Sequence, residues 1–181
     1  MEEGQIHIVY FDLETKYSID EVGGRANIRK LGLAAAVTYN TAQATYHHYT
    51  EERVKELIAE LKSAELVVGY NLLDFDYEVL SGYSSEPLAK LPTVDMMEYL
   101  ARRLGFRPSL QSIATATLGI PKSADGLQAI HWYRQGLIDK VLEYCQHDVE
   151  ITKKLYEYGQ LHKVVYYWDK QYQRRMVPVN W

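Results

Sequence analysis

In the segment VYFDLET, Asp12 and Glu14 stand two residues apart in a run that is otherwise apolar and β-prone. On a strand, that spacing turns both carboxylates to the same face. Acids are depleted from strands, and two like charges side by side on a buried one repel unless a cation or hydrogen-bond donors compensate. A divalent metal ion is the economical compensation. The alternative is a strand that ends before Asp12 and leaves both acids in a solvated loop. A second set lies far along the chain in EYCQHD, where Tyr144 and Asp148 are four residues apart. A helix there projects a phenol and a carboxylate from one face, a turn apart, with His147 in the neighbourhood. The third set is GYNLLDFDYEVL, in which a short apolar run delivers Asn71 at its end and Asp74 and Asp76 follow. Ligands bind at strand ends in α/β sheets. Spacing does not choose between the two aspartates, since either could instead cap the turn that follows.

The elements that must position these groups show in the periodicities. Strands are predicted over Ile6 to Leu13, Leu31 to Tyr39 and Ala44 to Tyr49, with a Gly23-Gly24 turn between the first two. Val54, Leu57, Ile58 and Leu61 recur at helical spacing behind Thr50, predicting a capped helix from Glu51 to Leu61. Leu66 to Tyr70 reads as a short buried strand of a parallel sheet, with a short helix over Asp76 to Leu80 and a further strand near Leu91 to Val94. A helix ending near Gly105 and Pro108 follows, then a Ser109-capped helix over Leu110 to Leu118. Residues 119 to 136 are punctuated by glycine and read as looser. The clearest helix spans Leu137 to Tyr158, with Val141, Cys145, Val149, Thr152 and Tyr156 on its apolar stripe.

The chain has 181 residues, of which 47% are hydrophobic and 24% charged, so it is expected to fold around one core. A single cysteine, Cys145, allows no intrachain disulfide and no cysteine-rich zinc site. With no run of about 18 apolar residues, the expectation is a cytoplasmic protein without a membrane span. A net charge of -4 argues against bulk electrostatic coating of duplex nucleic acid. Acidic substrates remain open to it where cations mediate contact.

Together and in order, the three segments resemble the DEDD superfamily of 3′-5′ exonucleases, whose RNase H-like fold is shared by polymerase proofreading domains. FDLET is similar to the first exonuclease motif, GYNLLDFD to the second and YCQHD to the third, and the resemblance runs roughly from Ile8 to Leu155. Tyr144 with Asp148 matches the tyrosine (DEDDy) branch. The histidine branch does not fit, because Glu143 stands five residues before Asp148. The GYN, FD and YC details most resemble the exonuclease domains of B-family DNA polymerases and stand-alone bacterial predicted exonucleases.

The resemblance implies an α/β, three-layer fold with a mixed central β-sheet flanked by helices over residues 1–163, and an aromatic and basic tail, 164–181, packed on or extending it. It implies a phosphodiester hydrolase that trims single-stranded or frayed 3′ ends, DNA slightly preferred over RNA, with two Mg²⁺ or Mn²⁺ ions held by Asp12, Glu14, Asp76 and Asp148. Asp76 is favoured over Asp74 because it follows Phe75 as in the family motif. Tyr144 would position the attacking water, and Leu13, Thr15, Asn71 and Phe75 would approach the terminal nucleotide. An exoribonuclease and a catalytically silent binding or scaffold module, serving a helicase or repair assembly, are the alternatives. Arg102, Arg103 and Lys122 are candidate phosphate contacts. The tail interleaves aromatics with Lys and Arg, a composition that suits base stacking on single strands, a further strand or a docking arm.

Overall fold

The computed structural model describes residues 6–120 and 126–181 and centres on β1 (Ile8–Thr15). This strand lies in the middle of a five-stranded sheet ordered β3-β2-β1-β4-β5. β2 (Leu33–Asn40) and β3 (Thr45–Tyr49) form antiparallel pairs on one side. β4 (Leu66–Gly69) and β5 (Thr93–Asp95) run parallel on the other. Short apolar strands suit the parallel half because helices cover both faces there.

Alternation along β1 sorts its side chains between two cores. Val9, Phe11 and Leu13 enter a core closed by α1 (Val54–Ser63) and α2 (Tyr77–Leu80). Tyr10 faces the other core, built on α3 (Met96–Leu104), α4 (Leu110–Leu118) and α6 (Ile138–His162). The same period of two carries Asp12 and Glu14 to the α6 side. Layers of helix, sheet and helix result, as expected from the sequence.

Small residues govern how closely α6 approaches. Ala34 and Ala35 of β2 pack with Val141 of α6 and Ala129 of α5 (Gly126–Arg134). At Gly159 a Cβ would lie 2.5 Å from the Trp181 ring, so a glycine lets the end of the chain lie flat on α6. Trp181 is held there by its indole N–H, which donates to the Tyr156 carbonyl at 3.1 Å.

Several predicted boundaries shift for identifiable reasons. β1 continues through Thr15, so the solvated-loop alternative for its two acids does not hold. Thr50 does not cap α1; its hydroxyl donates to Glu52, and a 3-10 turn over Glu51–Arg53 precedes the helix. Ser109 does cap α4, accepting from the Ser112 N–H at 3.1 Å. The looser stretch contains α5, and α6 runs to His162, with Trp181 of the aromatic tail folded back onto it at Tyr156 and Gly159. That tail forms a hairpin, β6 (Val164–Trp168) with β7 (Arg174–Pro178), whose Val165 and Val177 join the α6-side core. Thr117 of α4 satisfies both the N–H and the carbonyl of Tyr166 on the hairpin's inner edge. No helix among the described residues is long and apolar enough to cross a membrane.

One buried acid joins α1 to the antiparallel half of the sheet. Glu60 accepts from Thr38 Oγ1 at 2.6 Å, Asn40 Nδ2 at 2.8 Å and Tyr49 Oη at 2.7 Å, and its Oε1 lies 2.7 Å from His47 Nδ1. Burial works to raise its pKa, but these hydrogen bonds hold it below the ordinary glutamate value. A carboxylate with a depressed folded pKa stabilises above its unfolded pKa, and that contribution disappears as pH falls through the folded one. Glu60→Ala, which strands several half-buried donors, is expected to cost about 2–4 kcal/mol in urea unfolding at neutral pH. Below the ordinary glutamate pKa of about 4.3 the gap between parent and variant should narrow; a gap independent of pH would contradict the assignment.

Candidate metal centre and adjoining cleft

Asp12 and Glu14 leave β1 on the α6 side, and Asp148 reaches them from α6. One carboxylate oxygen from each lies within 4.8 Å of the others. At an effective dielectric of about 20, two unit charges that far apart repel by about 3.5 kcal/mol. Three ionised pairs would cost about 10 kcal/mol, comparable to the whole stability of an ordinary domain. The cluster must therefore take up protons or a cation.

The surroundings of each acid act in that direction. Burial first, and then the Asp148 charge, hold the Asp12 carboxyl well above the usual range. Glu14 is raised by burial and by Asp12, Asp148 and Asp76. Asp148, more open, is raised by burial to about 6, opposed by His147 and by a hydrogen bond from Tyr144. Cys145 adds a donor: its thiol lies 3.3 Å from the Asp12 carbonyl and 3.6 Å from Asp12 Oδ2. Burial and the surrounding acids push that thiol up, so it remains an S–H donor.

Asp76 arrives from a different element. A π-helical turn, Leu72–Asp76, follows β4 and brings the residue inward at 2% exposure. Its Oδ1 is buried with no hydrogen-bond partner among the described residues. Burial and the Asp12 charge lead the causes that raise its pKa. Asp76 thus lies in the electrostatic neighbourhood of Asp12 and Glu14 while remaining outside the three-acid cluster. Asp74 points outward, 55% exposed, and pairs with Arg107 at 2.7 Å. The turn thus buries Asp76 and leaves Asp74 at the surface.

Asp95 sets the turn. Its Oδ1 accepts from Met97 N–H at 3.1 Å and Glu98 N–H at 3.2 Å, capping α3. It also accepts from Asn71 N–H at 2.8 Å, and its Oδ2 accepts from Leu73 N–H at 3.0 Å. Asn71 is thereby held in the left-handed region at φ 73°, which asparagine tolerates better than most residues. Nothing in the sequence singled out Asp95. An acid directly before a helical run was the available signal.

Beside Glu14 opens a largely apolar cleft of about 440 Å³, with Leu13, Thr15 and Phe75 in its wall. Tyr17, Leu127 and Ile130 also line it, residues that spacing could not have assigned because they come from a connecting loop and from α5. Thr15 Oγ1 donates to the Tyr17 carbonyl at 2.9 Å, shaping the loop that borders the cleft. Asn71 stands apart from this wall; its Oδ1 accepts from Arg107 at 2.6 Å. Tyr144 on α6 packs edge-on against Trp132. Burial and the acids around it drive its phenol pKa upward, so the hydroxyl stays protonated.

Among the sequence candidates for phosphate contacts, Arg102 pairs with Glu98 and Arg103 covers the Tyr99 ring while donating to the Pro178 carbonyl. Lys122 lies outside the described residues.

The donor set is all oxygen, anionic and pre-gathered, and one buried carboxylate oxygen lacks a partner. These features fit hard divalent cations such as Mg²⁺ or Mn²⁺. Asp12→Asn, which removes one charge at constant shape, is expected to stabilise the metal-free protein by about 1–2 kcal/mol. In thermal melts Mg²⁺ or Mn²⁺ should raise the parent's Tm with concentration and leave that of the variant nearly unmoved. A parent Tm indifferent to both ions would remove the cation from this site.

A family model described as the RNase_H superfamily matches residues 9–160. No curated protein matches the chain. Among solved structures, a family B DNA polymerase from the hyperthermophilic archaeon Pyrobaculum calidifontis superposes with a TM-score of 0.65 at 16% sequence identity. The match covers 87% of this chain and 25% of the polymerase, so the chain corresponds to about a quarter of that protein and shares its fold over that part.

Proposed function

The chain belongs to the RNase H superfamily, and from that membership we propose that it is a metal-dependent 3′-5′ exonuclease acting on single-stranded or frayed nucleic acid. The observation that carries the reading is the convergence of Asp12, Glu14 and Asp148, with the partnerless Asp76 oxygen beside them, at the edge of an apolar cleft. Two divalent ions bound there would acidify a water and neutralise charge on the attacking and leaving oxygens of an in-line phosphoryl displacement.

The chain's own groups divide the remaining work. Asp12 is electrostatically coupled to each of the other three acids, which suits a ligand shared by both ions. Glu14 and Asp148 would hold the ion on the side of the attacking water, and Asp76 would support the second. Tyr144, held protonated, serves as a hydrogen-bond donor that orients the water rather than as a base. Leu13 and Phe75 would receive the terminal base against the cleft wall, with Thr15 shaping the loop around it and Asn71 facing the nucleotide from the β4 end. A preference for DNA over RNA is supported by the fold shared with a DNA polymerase.

Incubating 5′-labelled single-stranded DNA and RNA of one sequence with Mg²⁺, Mn²⁺ or chelator tests the proposal. A metal-dependent ladder shortening from the 3′ end is expected, faster on DNA. A faster RNA ladder would make the chain an exoribonuclease, and no shortening of either polymer would leave a binding module. Asp148→Ala should reduce the ladder to background. Tyr144→Phe should slow turnover by about 10–100-fold while keeping the metal-induced rise in Tm; a rate equal to the parent's would dismiss the orienting role.

A further inference from the structure

Residues 105–108, between α3 and α4, link the end of β4 and the π-helical turn that carries Asp76 to the C-terminal hairpin. At one end Arg107 donates to Asn71 at 2.6 Å and to Asp74 at 2.7 Å, and the Tyr70 hydroxyl donates to the Pro108 carbonyl at 2.8 Å. At the other end Phe106, 48% exposed, meets the Tyr167 ring edge-on with centroids 5.7 Å apart. Tyr167 lies on β6 opposite Arg175 of β7, and cross-strand partners share one face. Of the Arg175 guanidinium only Nε is engaged, by Asp169 at 2.7 Å; its terminal amino groups have no partner among the described residues. A half-exposed aromatic pair and an available cation therefore lead away from the side chain that holds Asn71.

Charge indicates the occupant. The whole chain carries -4, and its metal centre gathers acids, so a polyanion needs local cations to approach. Lys163, Lys170, Arg174 and Arg175 against the single acid Asp169 make residues 163–175 a basic segment of an acidic protein. Aromatic faces beside cations match single-stranded nucleic acid, whose unpaired bases stack and whose phosphates seek guanidinium groups.

We propose that Phe106, Tyr167 and Arg175 form a landing track for the single-stranded segment immediately 5′ of the terminal nucleotide. The track extends the exonuclease reading and rests on it for the position of the 3′ end. Bases upstream of the scissile bond stack on the Phe106 and Tyr167 rings, and Arg175 neutralises a phosphate between them. Arg107 keeps this edge in register with the metal centre by holding Asn71.

Fluorescence anisotropy with labelled 12-nucleotide and 3-nucleotide single-stranded DNA, in chelator so that nothing is cleaved, measures the track directly. The parent is expected to bind the 12-mer at least about tenfold more tightly than the 3-mer, since each stacked base contributes. Phe106→Ala and Arg175→Gln should each reduce that ratio by about 3–10-fold, and Phe106→Trp should restore it. Arg175→Gln should also lower the salt slope of log Kd by about 0.7, the loss of one phosphate contact on a single strand. Melts of the same variants report whether they remain folded. A parent with no length preference, or variants that keep it, overturns the track. Mass measurements by light scattering read the rival occupant: a parent dimer that the variants dissociate without changing DNA binding makes this edge a self-association surface and overturns the proposal. Length-dependent binding lost in the variants, from a parent that never cleaves in Mg²⁺ or Mn²⁺, supports the track while overturning the exonuclease reading.

Discussion

Mutual repulsion of buried carboxylates is the constraint around which this molecule is arranged. Asp12, Glu14 and Asp148 approach one another closely in a half-buried setting, and Asp76 is buried beside them with an oxygen unsatisfied. A fold selected for stability alone would separate these groups or replace them with amides. Their persistence in one place means that the surrounding structure holds them together against their own charge, at a cost other contacts must offset. Burial, joined by the same repulsion at Asp12, Glu14 and Asp76, lifts their pKa values and makes the site receptive to a cation. Destabilisation of the empty site and affinity for the ion have one electrostatic origin.

The scaffold resists that repulsion with rigid elements rather than loops. Two of the acids stand on the central strand, which is hydrogen-bonded to neighbours on both sides. The third comes from the longest helix, whose close approach is permitted by alanines on β2 and by Val141 and Cys145 on its own face. A register shift between Glu14 and Thr15 lies next to the cluster, where bulges commonly re-aim side chains. Asp76 depends on a less regular device. A π-helical turn delivers it, and the Asp95 carboxylate pins that turn to the start of α3 through four backbone amides. Hydrogen bonds that fix the backbone beneath a charged side chain determine how well it can be held in an unfavourable place.

The cleft adds a complementary property. Its walls are mainly apolar, whereas the acids at its edge are ionic once a cation is bound, so one end favours a flat organic ring and the other a phosphate. Contact with the wall comes from residues scattered over β1, the following loop, the turn after β4 and α5. This distribution makes the shape of the cleft sensitive to how the layers pack, while the acids depend mainly on strand and helix geometry.

Much of the fold and of the acid set was legible in the sequence because both depend on local periodicity. A period of two on β1 places Asp12 and Glu14 on one face whatever surrounds them, and a spacing of four places Tyr144 and Asp148 a turn apart on α6. Apolar stripes likewise announced α1 and α6, and a Ser109 cap announced α4, while the boundaries of α1 and α6 moved where tertiary contacts intervened: a 3-10 turn in place of the Thr50 cap, and a tail that packs on the end of α6. The different burial of Asp74 and Asp76, by contrast, is tertiary in origin: it depends on a left-handed Asn71, a π-helical turn and an Asp95 carboxylate 24 residues away from Asn71 in the chain. Tyr17, Leu127 and Ile130 in the cleft, the four-donor clasp on Glu60 and the Phe106–Tyr167 contact also escaped spacing arguments. Each is a meeting of residues distant in sequence, fixed by how layers pack. Which carboxylates share a face follows from backbone geometry that repeats every two or 3.6 residues and is therefore written in residue spacing; which faces meet depends on how strands and helices distant in the chain pack together, and no spacing encodes that.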